Sequence, residues 1–117
     1  MPLESAAGGQ VKGLAVRRAA PADRDAVMSL ASRFEDDYIP AVFDRWVAEE
    51  VGGLFLAEAE GSLVGLFCVS FPRPGLAWLQ GMRVDPAHQG RGIGTALARV
   101  QLEVAARGGA RVPAGPG

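Results

Sequence analysis

An α/β domain with the element order β-α-α-β-β-β-α is what this chain of 117 residues is expected to form. Three patterns predict it: apolar residues at helical spacing from 27 to 51, alternation at period two from 54 to 84, and a return to helical spacing after a glycine-rich stretch at 89–94. The length suits one domain. With 49% hydrophobic and 21% charged residues, the composition is that of a globular chain with a packed core and excludes a disordered or fibrous one.

Residues 1–12 contain Gly8-Gly9 and little hydrophobic period, so they are expected to be a loose leader before a domain over 13–109. Leu14 and Val16, flanked by Arg17-Arg18, predict a short first strand. Ala20-Pro21-Ala22-Asp23 has the proline and the acid of a helix start, and Val27, Leu30, Ala31 and Phe34 carry that helix forward. The acidic break Glu35-Asp36-Asp37 leads to a second amphipathic helix on Val42, Phe43, Trp46, Val47 and Val51, predicted to close at Gly52-Gly53. Strands are predicted over 54–59, 63–71 and 76–84, with turns at Glu60-Gly61 and Pro72-Arg73-Pro74-Gly75 between them. Gly81 lies inside the last of these strands, where a glycine marks either a bulge or the close approach of another backbone or a ligand. A third helix carries Ile93, Leu97, Val100 and Val104 on one face and should stop at Gly108-Gly109. Ala98, Leu102 and Ala105 form a second apolar strip that also expects cover. The last residues, 110–117, start like a strand and dissolve into Pro and Gly, the composition of a tail.

Several partner classes drop out at once. A formal net charge of -1 supplies no basic field for nucleic acid. The longest apolar stretches fall far short of a membrane span and no signal-peptide pattern opens the chain, so the expected location is the cytoplasm. One cysteine, Cys68, and one histidine, His88, cannot assemble a thiol-clamped zinc site, and no metal is expected. Cys68 in its apolar strand reads as a buried inert thiol rather than an acyl carrier. His88 reads as a solvated loop residue, with contact to a phosphate as the alternative.

The chemistry concentrates in Val84-Asp85-Pro86-Ala87-His88-Gln89-Gly90-Arg91-Gly92-Ile93-Gly94-Thr95, a strand end, a turn, three alternate glycines and a helix start. Glycines at 90, 92 and 94 let the backbone curl so that N–H groups converge, and the following helix adds unpaired donors and a positive dipole end. An anion such as a phosphate suits that arrangement. A P-loop is excluded because Ile93-Gly94-Thr95 lacks its lysine, and a dinucleotide-binding fingerprint because this loop follows a hairpin meander instead of opening a parallel βαβ unit.

Gln89-Gly90-Arg91-Gly92-Ile93-Gly94 resembles the acetyl-CoA signature Gln/Arg-x-x-Gly-x-Gly/Ala of the GNAT superfamily of N-acetyltransferases, and Met82-Arg83-Val84-Asp85-Pro86 resembles that family's fourth strand and turn. The resemblance covers roughly Gly13 to Gly109. It implies a mainly antiparallel sheet with helices on both faces, of which this chain is expected to hold the first half and to end before the last strands and helix. It further implies acetyl-CoA as cosubstrate, its pyrophosphate on the amides of Gly90, Arg91, Gly92, Ile93, Gly94 and Thr95 behind Gln89, and its pantetheine paired with the backbone of Met82, Arg83 and Val84. Gly81 would permit the bulge the family places in this strand, and an N–H near Met82 or Val84 would polarise the thioester carbonyl. Trp78 stands where many members carry a carboxylate base, leaving Gln80 to order a water, and the tyrosine that reprotonates the thiolate would fall after the last residue. The connection holding Asp36, Asp37 and Tyr38 corresponds to the family's substrate-recognition turn and suits a cationic amine, a solvated connection being the alternative. Arg83 is read equally as an outward-facing strand residue. The implied activity is acetyl transfer to an amine, in a small molecule or at a protein N-terminus, by direct attack. The alternative is a non-catalytic acyl-CoA-binding or interaction module. An open sheet edge would also allow a homodimer.

Overall fold

The computed structural model describes residues 13–35 and 37–108. The expected leader and tail, and Asp36, lie outside the described residues. Strand β1 (Leu14–Arg18) is followed by helices α1 (Arg24–Ala31) and α2 (Ile39–Ala48), the meander β2 (Gly53–Ala59), β3 (Ser62–Arg73) and β4 (Leu76–Val84), and helix α3 (Ile93–Arg107). Short 3-10 turns at Pro21–Asp23 and Pro86–His88 lead into α1 and out of β4. The sheet order is β1-β2-β3-β4 and every neighbouring pair is antiparallel. No helix among the described residues is long and apolar enough to cross a membrane.

Successive side chains of a strand point to opposite faces, so the near-continuous apolar run of β2 and β3 requires cover on both sides. It has it. Phe55, Ala57, Phe67, Val69 and Ala77 pack under Ile93, Leu97, Val100 and Val104 of α3. Leu54, Leu56, Leu66 and Cys68 pack under Val27, Leu30, Phe43 and Trp46 of α1 and α2. Burying a side chain of this size stabilises by about 1.5–3 kcal/mol, so the two layers together hold the sheet between them.

Helix α1 ends at Ala31 rather than carrying on through Phe34, the Ser32 hydroxyl and the Arg33 and Phe34 N–H groups closing tighter turns there. Three further features differ from the sequence-based expectation. Helix α2 stops at Ala48 instead of continuing through Val51, because the Arg18 guanidinium donates to the carbonyls of Val47 and Glu49 and satisfies the end of the helix there. Strand β3 runs on through Pro72 to Arg73, where a shift in register against β4 after Ser70 accommodates the proline. On α3 the second apolar strip divides: Ala105 is buried, whereas Ala98 and Leu102 face outward.

Within β4 the register shifts so that Gly81 and Met82 together oppose Phe67, while Gln80 pairs with Cys68 and Arg83 with Leu66. This is a β-bulge, and Gly81 adopts φ +72, a conformation costly for any residue with a Cβ. The bulge accounts for the glycine, and a Cβ there would also stand 2.9 Å from the Trp46 ring, a side-chain contact rather than the approach of a backbone or a ligand.

Candidate functional site

The loop between β4 and α3 is fixed before it becomes glycine-rich. The Asp85 N–H donates to the Val64 carbonyl at 2.8 Å, and the buried Asp85 carboxylate accepts from the Ala87 N–H at 3.0 Å and from the Arg33 guanidinium. The Ala87 N–H, with Arg33 behind it, holds the Asp85 carboxyl below the usual carboxylate range. His88 stands nearby with its Nδ1 3.5 Å from Asp85, and these residues with Ser29 and Ser62 line a cavity of about 350 Å³. The Gln89 side chain folds back to donate to the Val84 carbonyl at 3.2 Å.

Beyond Gln89, Gly90 and Gly92 both take φ +82, which turns the chain sharply into α3 with Gly92 as its N-cap and no side chain capping it. The first closed intrahelical bond runs from the Ala96 N–H to the Gly92 carbonyl at 3.0 Å. The N–H groups of Gly92, Ile93, Gly94 and Thr95 therefore lack intrahelical acceptors and sit at the positive end of a 15-residue helix. Arg91 is exposed beside them. A cradle of this kind, made almost entirely of main-chain donors, suits an anion.

The cradle continues directly from β4, an edge strand among the described residues. Because the Asp85 N–H faces β3, alternation turns the Val84 N–H toward the open edge. Met82, Arg83, Val84 and the 89–95 loop thus form one continuous run, but the Arg83 side chain leaves it. The Arg83 guanidinium reaches to Asp37 at 3.0 and 3.2 Å and lies over the rings of Phe34 and Tyr38.

That contact changes the reading of the α1–α2 connection. The Asp37 side chain is only 2% exposed, and its carboxylate also accepts from the Ile39 N–H at the start of α2. With Arg83 and the helix start already satisfying it, Asp37 has no charge left over for an amine. It pins the connection to β4. Tyr38 remains half exposed, edge-on to Trp46.

Two features escaped the sequence reading. Gln101 of α3, 6% exposed, donates to the carbonyls of Cys68 at 3.0 Å and Gln80 at 3.3 Å, the residues that flank the bulge. Its signal was a glutamine interrupting the apolar face between Leu97 and Val104. The second is a cavity of about 280 Å³ lined by Arg45, Glu49, Ser70, Trp78 and Gln80 beside Trp46, Phe71 and Pro72. At its floor the Gln80 amide donates to the Ser70 hydroxyl at 2.8 Å, and Ser70 Oγ stands 3.6 Å from Cys68 Sγ. Burial pushes the Cys68 thiol up to about 11, so it stays protonated near neutrality.

Known proteins resemble this chain in sequence and in fold. The model of the acetyltransferase (GNAT) family matches residues 22–112. A Xenopus tropicalis protein named histidine N-acetyltransferase is 36% identical over 69 residues, 58% of this chain and 21% of that protein. A Pyrococcus horikoshii protein classed with the acetyltransferases superposes with a TM-score of 0.68 at 30% identity, over 82% of this chain and 36% of its own. A Mycobacterium tuberculosis protein solved with CoA and NLQ gives a TM-score of 0.65 at 27% identity, over 83% of this chain and 61% of its own. The chain thus spans less than two thirds of the length of each of these relatives.

Proposed function

Because the chain belongs to the acetyltransferase (GNAT) family, we propose that it moves an acetyl group from acetyl-CoA to an amine by direct attack on the thioester. One observation carries this reading: four adjacent main-chain donors without intrahelical acceptors, Gly92 to Thr95, follow the loop after a bulged strand that is an edge strand among the described residues.

The diphosphate of acetyl-CoA accepts from those N–H groups, each contributing about 0.3–1 kcal/mol through charge and dipole, with Arg91 adding a direct charge. The pantetheine amides pair with the backbone of Met82, Arg83 and Val84 as an added strand, which makes this stretch tolerant of side-chain change. Its thioester then falls near the bulge, where the N–H of Met82 or Val84 polarises the carbonyl. A donor of that kind is worth about 2.7–4 kcal/mol in the transition state. The amine nitrogen attacks the carbonyl carbon, the carbon–sulfur bond breaks, and the thiolate leaves to be protonated. Attack requires a neutral amine, so the ammonium first gives up a proton, here to a water ordered by Gln80, whose amide Ser70 holds in place. The name of the Xenopus relative supports an acceptor of amino-acid size.

Calorimetric titration with CoA, followed by thiol release over an amine panel, tests the proposal. Micromolar CoA binding is expected, weakened about tenfold or more by Gly92→Val, whose β-branched side chain cannot take φ +82 without strain. No CoA binding at high micromolar concentration would refute it. Binding without thiol release on any amine would instead favour the non-catalytic acyl-CoA module.

A further inference from the structure

We propose that the cavity between α2 and the first half of β4 holds the acceptor as a zwitterionic α-amino acid, its carboxylate on Arg45 and its ammonium on Glu49. For the reaction this rests on the acetyl-transfer reading above; for binding it does not.

Arg45 in the last turn of α2 and Glu49 at its C-cap line the same cavity, and no ion pair or hydrogen bond is found for either side chain among the described residues. The chain leaves helical geometry at Glu49, which keeps the two side chains from stacking on each other as an i,i+4 pair would. Both therefore stay open to a ligand carrying the reverse pair. Glu49 is moreover the C-cap of α2, where the helix dipole disfavours a carboxylate, so local helix stability does not account for its charge.

The shape agrees. At about 280 Å³ the cavity lies below the roughly 300–1,000 Å³ of sites for drug-sized ligands and suits a small metabolite. Trp78, 48% exposed, offers an indole face to a flat side chain, with Pro72 and Phe71 beside it. Gln80 lines the cavity and immediately precedes the Gly81–Met82 bulge. The cavity thus adjoins the part of β4 where the thioester is proposed to lie. An internal peptide amine would leave Arg45 without a partner, which is why a free amino acid fits better than a protein N-terminus.

The test is a fluorescence titration of the chain, without CoA, using L-histidine, histamine and imidazolepropionate. Trp78 and Trp46 both line the cavity, so the titration is repeated on Trp78→Phe to assign the signal. L-Histidine should bind at least about tenfold tighter than either analogue, each of which lacks one charge. Arg45→Gln should remove the margin over histamine, Arg45→Lys should restore part of it, and Glu49→Gln should remove the margin over imidazolepropionate. Equal binding of the three ligands, or margins unchanged by the substitutions, would overturn the assignment. CoA titrated into the same samples separates the two readings: zwitterion binding without CoA binding supports this site and sinks acetyl transfer, and the reverse result sinks this site alone.

Discussion

Replacing Gln101 by leucine keeps the side-chain volume on α3 and deletes two hydrogen bonds inside the core. The Cys68 and Gln80 carbonyls that receive them flank the bulge, where the β3–β4 ladder is interrupted, and Gln101 is 6% exposed, so little water can replace its amide. Each buried carbonyl left without a donor costs about 1–3 kcal/mol, and the added apolar contact of leucine recovers part of that. The net expectation is a loss of about 2–4 kcal/mol, a large share of the roughly 5–15 kcal/mol by which domains are stable. In urea, at a slope of about 1–3 kcal/mol/M, the unfolding midpoint should fall by on the order of 1–2 M. Because the same carbonyls hold the bulge in shape, CoA affinity of the folded variant should fall as well. A Gln101→Leu protein with an unchanged midpoint and unchanged CoA binding would show that the bulge does not depend on this side chain.

Gly81→Ala should destabilise by about 1–2 kcal/mol from backbone strain at positive φ, and by more from the contact with Trp46, lowering the melting temperature measured by circular dichroism. If the melting temperature does not change, the bulge geometry is wrong. Asp85 links stability to pH. Its folded pKa is depressed, so its contribution is fully present above the ordinary carboxylate value of about 3.9 and is lost as pH falls through the folded value. Between pH 6 and pH 3 the wild-type urea midpoint should therefore drop more steeply than that of Asp85→Asn, and parallel profiles would remove Asp85 from the acid response.

Much of the architecture was legible before any coordinates. The change of hydrophobic period at Leu54 and again after Gly94 follows from which side chains must face a core, a local property of the chain. The sharp turn into α3 was legible for a related reason: at Gly90 and Gly92 positive φ is cheap, and a helix start carries free donors whatever surrounds it. Other features depend on partners far away in the sequence. Arg18 ends α2 from β1, Arg83 buries Asp37 from β4, and Gln101 reaches across from α3 to the bulge. Which of several polar side chains meets a given carboxylate or carbonyl depends on strand register and helix rotation, and these are set by the packing of the whole sheet between its two helical layers. The open pair of Arg45 and Glu49 belongs to the same class. As sequence it is an unremarkable charged helix end, and it becomes a candidate binding site only once folding brings Trp78 and Gln80 to line the same cavity.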